Sequence, residues 1–379
     1  MRFLAGLLWC GALIAQPYSL LLKGGHVIDP KNGVDAVRDV AIVNGQIAAV
    51  AANIPASQAR QSIDVQGLYV TPGLVDIHVH VFHSTGIPGA WAGDASIQPD
   101  VLSFRTGVTT MCDAGSAGWR NFENFRQTVI DRAKTRVLAF INIAGLGMVS
   151  DATEQGDFNA GEVVRLANKH RDVVVGVKSA HYQLPDWKSV DSAVVAGKAA
   201  GLPVMVDFGY FLRERPYWQL VGEHLRPGDI STHMFRGPVP WLDENGKVYD
   251  YLKQARARGV KFDLGHGGGS LVLRNAVPAI RQGFYPDSIS TDLHGQSMNA
   301  PLQDMPAKEA ERADLGDHGA HGEPPLLQEE QVVASELGRR DPIEPRAGVL
   351  AKRVNDLDVT ADGRGGVVAT NELRAQVLQ

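Results

Sequence analysis

From residue 18 to 71, short β-rich runs are split by glycine turns: Leu20-Leu21-Leu22, then Val40-Ala41-Ile42-Val43 and Ile47-Ala48-Ala49-Val50 on either side of Asn44-Gly45. Asn-Gly tolerates the positive φ angles of a two-residue type I′ turn, so the last two runs are predicted to form a hairpin. Residues 17–72 therefore read as a small antiparallel β-sandwich domain. After Pro72-Gly73 the rhythm changes. Apolar runs begin near Leu74, Val108, Val137, Val173, Val204, Asp229, Val260 and Ser288, about 25 to 36 residues apart, which is room for a strand, a helix and two loops. Gly107, Gly201 and Gly259 stand where a helix must stop before the next strand. Eight such units predict an α/β fold, a TIM (β/α)8 barrel over residues 73–315. A doubly wound open sheet shows the same alternation; the count of eight and the positions of the polar residues favour the barrel.

Composition narrows the class. The chain has 379 residues, 44% hydrophobic and 21% charged, too apolar for disorder and long enough for one large domain with a satellite. Lys and Arg total 37 against 42 Asp and Glu, a net charge of −5 with no basic block, which argues against a nucleic-acid partner. Arg2 precedes an apolar stretch over residues 3–15, too short to span a membrane and of the length of a signal-peptide core. Residues 1–16 are thus expected to be a cleaved export signal, giving a periplasmic or secreted protein with no stable membrane insertion. Beyond Tyr285 there is no aromatic residue, and residues 316–379 read as an atypical, loosely packed C-terminal tail.

The ends of the predicted strands carry the chemistry. Strand one runs Gly73-Leu74-Val75-Asp76-Ile77-His78-Val79-His80, and residues two apart on a strand face the same side, so His78 and His80 form a chelating pair at the C-terminal rim. A lone His-x-His is as often an accident of packing. Strand four ends on Lys178. An ammonium beside a dication is repelled, so this lysine is neutral, carbamylated by carbon dioxide into a carboxylate, or paired in an ordinary salt bridge. Strand five ends on Asp207, strand six on His233 and strand eight on Asp292. Ligand-type residues at five of eight strand ends are hard to explain as packing, and TIM-barrel enzymes work at this rim.

These pieces resemble the amidohydrolase superfamily, and within it the amidohydrolase/deacetylase metallohydrolases near the dihydroorotase-like enzymes. The resemblance covers residues 20–301. It rests on the β unit, the strand ending His78-Val79-His80, Gly107-Val108-Thr109-Thr110, Val177-Lys178, Thr232-His233, Gly265-His266-Gly267-Gly268-Gly269 and Ser290-Thr291-Asp292. It implies two divalent ions, zinc expected and manganese compatible. By that resemblance His78 and His80 hold the buried ion, Lys178 is a carbamylated bridge, His233 holds the outer ion, and Asp292 is both ligand and catalytic proton shuttle. The family usually has histidine where this chain has Asp207. As a metal ligand, Asp207 would join the carbamate, Asp292 and a hydroxide in cancelling two dications, leaving a weaker Lewis acid. Set back from the ions, it would leave one position weak.

The chemistry implied is hydrolysis of an amide (non-peptide C–N) or acyl ester bond by a metal-activated hydroxide. The first expectation is a deacetylase of a small N-acyl or O-acyl compound. A dihydroorotase-like cyclic amidase and a degenerate, non-catalytic barrel with a binding role are the alternatives. Substrate contacts are expected from Gly267 and Gly268, whose bare backbones let N–H groups approach an oxyanion, from His266, and from Tyr210, Arg213 and Arg215 after strand five. His83 and His181 are expected to lie either at the surface or just behind the ligands. The expected partner is a small-molecule substrate, and homo-oligomerisation is compatible with the composition.

Overall fold

The computed structural model describes residues 16–82, 96–148, 154–209, 211–267, 270–295 and 297. The expected export signal, His83, Tyr210, Gly268 and the C-terminal tail lie outside the described residues, apart from Gln16 at the very end of the signal. The chain divides into two compact units, with the boundary between Gly73 and Leu74.

In the first unit β1 (Tyr18–Asp29), β2 (Val34–Val43), β3 (Gln46–Ala51) and β4 (Ala59–Asp64) form a sheet in the order β3-β2-β1-β4, with β5 (Tyr69–Val70) also on β1. The Asn-Gly turn is present between β2 and β3, with φ of 51° at Asn44 and 73° at Gly45. Alternation along β1 sends Leu22 to one small core, with Val40 and Ile42, and Leu21 to another, with Ala41 and Ile54. The sheet is mixed rather than wholly antiparallel: β4 and β5 run parallel to β1, because the chain after β3 crosses back through the Ala56–Gln58 turn instead of folding into another tight hairpin.

The second unit is a parallel sheet of seven strands paired in chain order. They are β6 (Leu74–Val79), β7 (Val108–Gly118), β8 (Arg136–Asn142), β9 (Val174–Ser179), β10 (Val204–Val206), β11 (Ile230–Ser231) and β12 (Lys261–Phe262). The connections hold α1 (Pro99–Thr106), α2 (Phe122–Phe125), α3 (Ala160–Lys169), α4 (Lys188–Ala200), α5 (Tyr217–Gln219) and α6 (Asp250–Ala257), and α7 (Leu273–Arg281) follows β12. Gly107 and Gly201 close α1 and α4 in the left-handed region, where a residue with a Cβ would be strained. Period two along the strands separates two cores. Met205 packs with Ile77, Cys112, Phe140 and Ile230, drawn from five strands, whereas its neighbours Val204 and Val206 join the large cluster against the helices.

Residues 288–293 hydrogen bond to both margins of this sheet. Leu264 N–H donates to Ser288 O at 3.0 Å and His266 N–H to Ser290 O at 3.1 Å on the β12 side. On the β6 side Asp292 N–H donates to His78 O at 2.7 Å and His80 N–H to Leu293 O at 2.9 Å. The buried Asp76 carboxylate fastens the same segment, accepting from the Thr291 hydroxyl at 2.6 Å. No helix among the described residues is long and apolar enough to cross a membrane.

Candidate active site

The strand ends bring a cluster of buried ionisable side chains together. His78, Lys178, His233 and Asp292 are all buried, as are His80 and Asp207. Asp292 Oδ1 lies 3.3 Å from His78 Nε2 and 3.0 Å from His80 Nε2, and its Oδ2 lies 3.9 Å from His233 Nε2. Lys178 Nζ is 3.3 Å from His78 Nε2. Donor atoms of His78, His233 and Asp292 fall within 4.8 Å of one another, the one such group among the described residues. His78 and His80 reach this side together through an irregularity, since the pairing of β6 with β7 shifts register between Asp76 and Val79.

The far ring nitrogens fix each imidazole. His233 Nδ1–H donates to Gly265 O at 2.6 Å. His78 Nδ1 meets Thr232 Oγ1 at 2.9 Å, and because that hydroxyl donates to Asp263 Oδ2 at 2.8 Å, it accepts from the ring. His80 Nδ1 is 2.9 Å from Ser116 Oγ. The Nε2 lone pairs of His78 and His233 are therefore turned toward carboxylates, which is repulsive unless a cation lies among them. A proton can fill that role. Although burial opposes it, Asp207 and Asp292 raise the His233 pKa, and although burial raises it, the surrounding imidazoles hold Asp292 well below the ordinary carboxylate range. A divalent cation fits the same lone pairs and carboxylates, with imidazole and oxygen donors suited to zinc or manganese.

Burial pushes the Lys178 pKa down despite the nearby acids, toward the neutral amine. Gly115, at φ 87°, makes room for it: a Cβ there would collide with Lys178 Cβ and Cγ. His181, His233 and Asp292 themselves sit at φ of 49°, 60° and 49°. Non-glycine residues persist in this region only where the surroundings over-determine them, so the site is held in a strained, pre-set form.

Asp207 is engaged on both oxygens. Oδ1 accepts from Arg236 Nη1 at 2.9 Å; Oδ2 lies 3.0 Å from His181 Nε2 and 3.3 Å from His233 Nε2. His181 thus stands just behind the ligand-type residues rather than at the surface, with its Nδ1 3.3 Å from buried Glu154. Burial lowers its pKa, but Asp207 and Glu154 outweigh that and bring it to about 11. Sequence reasoning missed Glu154 and Arg236 and gave His181 no role of its own. His181 and Arg236 each follow a strand-end ligand by three residues, a signal that was there to be read; Glu154, in the loop after β8, offers none.

The substrate residues fare differently. His266 is buried at the sheet margin. Arg213 is exposed and joins none of these contacts. Arg215 is a loop residue but not an exposed cation: it is buried, donates to Tyr182 O and lies over the Tyr182 and Phe208 rings, because a guanidinium shielded from water is best satisfied by a carbonyl and aromatic faces. Gly267 N–H donates to Thr291 O at 2.9 Å, so the donor expected to meet an oxyanion is committed to the backbone. What Gly267 supplies is space. At φ 57°, a Cβ would run into Asp292 Oδ2. Gly267→Ala is expected to cost about 1 to 2 kcal/mol of stability from the left-handed backbone and to lower kcat by roughly tenfold or more as Asp292 is displaced; thermal melts beside steady-state kinetics check both.

No protein-family model matches the chain. It is similar to a deacetylase of Agrobacterium fabrum, 34% identical over 273 residues that cover 69% of this chain and 64% of that protein, so the match spans less than two thirds of that relative's length. It is also similar to a deacetylase of Brucella anthropi, 33% identical over 283 residues, 72% of this chain and 68% of the relative. Among solved structures it resembles an adenine deaminase at a TM-score of 0.70 and 30% identity, covering 79% of this chain and 80% of that one. A dihydroorotase gives a TM-score of 0.65 and 29% identity over 78% of each chain. With relatives of this identity matched along most of their length, and the strand-end cluster in place, the chain belongs to the amidohydrolase superfamily.

Proposed function

We propose that the chain is a metal-dependent hydrolase that removes the acyl group from a small N-acyl or O-acyl compound, working at the rim of a closed (β/α)8 barrel. The observation that carries this reading is the set of imidazole lone pairs of His78 and His233 turned toward the Asp292 carboxylate. The deacetylase names of the Agrobacterium and Brucella relatives support the substrate class, and the backbone bonds of residues 288–293 to both sheet margins support closure by an eighth strand. Zinc is the expected ion, with manganese compatible. His78, His80, His233 and Asp292 would hold it, together with Lys178 as a carbamate, whose formation needs the neutral amine that burial favours.

Bound divalent ions at such a site acidify water and polarise the acyl carbonyl. Asp292, ionised and placed among three imidazoles, takes the proton of the attacking water and returns it to the leaving nitrogen or oxygen. Thr232, Ser116 and the Gly265 carbonyl hold the rings so that Nε2 faces inward. His266, Arg213, Tyr210 and Gly268 stand as candidates for substrate contact.

Chelator-treated protein is expected to lose hydrolysis of acetylated amines or alcohols and to regain it with zinc or manganese. Full activity after verified metal removal would sink the reading. The structural likeness to a dihydroorotase favours a second reading, a cyclic amidase. Hydrolysis of cyclic amides in preference to open acyl compounds would establish it instead, and a metal content well under one equivalent would point to a non-catalytic barrel.

A further inference from the structure

We infer that the two ion positions of this centre are unequal, and that Arg236 makes them so by competing with an ion for Asp207. The inference rests on the reading of the cluster as a metal centre. On the inner side, His78 Nε2 and His80 Nε2 both meet Asp292 Oδ1, at 3.3 and 3.0 Å. The one amine beside them, Lys178, would become an oxygen donor as a carbamate. On the outer side the donors are His233 Nε2 and Asp207 Oδ2, 3.3 Å apart, and His181 Nε2 lies 3.0 Å from that same carboxylate oxygen. There a guanidinium holds the other Asp207 oxygen at 2.9 Å.

That guanidinium is a donor with no acceptor atom of its own. It draws electron density from the Asp207 carboxylate and adds a fixed positive charge beside any ion on that side. Its side chain is 28% exposed while that of Asp207 is 3% exposed, so the pair is rooted in the site with its cationic end toward solvent. A Cβ at Gly209 would make ordinary contacts with Asp207 at 3.6 Å and Arg236 at 3.7 Å and would press on His181 at 3.3 Å. Among the described residues Asp207 is the only side chain that the Arg236 guanidinium bonds.

Charge counting gives the consequence. Two dications against a carbamate, Asp207, Asp292 and a hydroxide sum to zero; the His181–Glu154 pair behind Asp207 adds no net charge, and Arg236 raises the total to plus one. A second dication is therefore bound more weakly, and once bound it is a stronger Lewis acid than the neutral count allows. The inner ion is resident, and the outer ion comes and goes with metal supply.

Calorimetric titration of the metal-free full-length chain with zinc tests this without reference to turnover. The wild-type chain is expected to take one equivalent tightly and a second roughly a hundredfold more weakly, the scale of one unit charge acting over several ångströms at an effective dielectric near 20. Arg236→Met should tighten the second equivalent about tenfold or more, Arg236→Lys should keep it weak, and Asp207→Asn should abolish it with the first retained. Two equivalents of equal affinity in the wild type, or a second equivalent weakened by Arg236→Met, would overturn the inference. So would unchanged zinc binding in Arg236→Met with KM raised for acidic substrates alone, which would make Arg236 a substrate anchor. Absence of any tight equivalent in the wild type would remove the metal reading itself, a failure distinct from the others. The wild-type titration stands even where a variant fails to fold.

Discussion

Asp292→Asn is expected to retain most of the inner ion while kcat falls by about a thousandfold or more, equivalent to roughly 4 kcal/mol of transition-state stabilisation. The substitution keeps the shape and one oxygen, so ring contacts with His78 and His80 survive in part. It removes the lone pair and charge that accept a proton. Asp292 is the only carboxylate in the cluster that touches His78, His80 and His233 at once; Asp263 is spent on Thr232, Ser288 and Ser290, and Asp207 on Arg236 and His181. Single-turnover kinetics beside metal analysis make the check. A loss below about tenfold would move the proton-transfer role to another base, and a parallel loss of metal would make Asp292 chiefly a ligand.

Strand positions were legible because burial on both faces of a parallel sheet demands continuous apolar runs. β6, β7 and β10 begin at Leu74, Val108 and Val204, where those runs start, and β8, β9, β11 and β12 begin within a residue of theirs. Glycines at Gly107 and Gly201 were legible for a local reason, since each ends a helix where the backbone turns left-handed. The strand-end ligand types were legible from the same alternation, yet the simple period-two argument for His78 and His80 omits the register shift that turns them inward after Ile77. Three-dimensional pairings were not legible. Nothing in the sequence says that Arg236 reaches Asp207, that Arg215 is buried against rings, or that the Gly267 N–H is spent on Thr291, because each joins segments distant in the chain that meet only in the folded structure. The parallel run of β4 and β5 was hidden for a similar reason: pairing depends on where a crossover lands, which composition does not encode.

Lys178→Ala is expected to empty the centre of metal and reduce activity to background, with partial return on adding a short-chain carboxylic acid. Lys178 is fully buried, its Nζ 3.3 Å from His78 Nε2 and 3.7 Å from Met205 Sδ, an environment that gives an ammonium little solvation. Such a residue is costly to keep as a plain amine, and Gly115 gives up a side chain to admit it. A carbamate would account for both, converting a buried amine into an oxygen donor beside the imidazoles. Truncation leaves a cavity worth about 2 to 4 kcal/mol, offset in part by loss of the buried amine, so the melting temperature should change modestly while metal is lost. The acid then enters the cavity and replaces the missing carboxylate, which an ordinary structural lysine would not permit. Protein equilibrated with isotopically labelled bicarbonate should show a carbamate resonance that disappears in the variant. Retention of the full metal complement by Lys178→Ala, or absence of that resonance in the active wild-type protein, would show that the lysine acts as an amine and that the inner ion is held by His78, His80 and Asp292 alone.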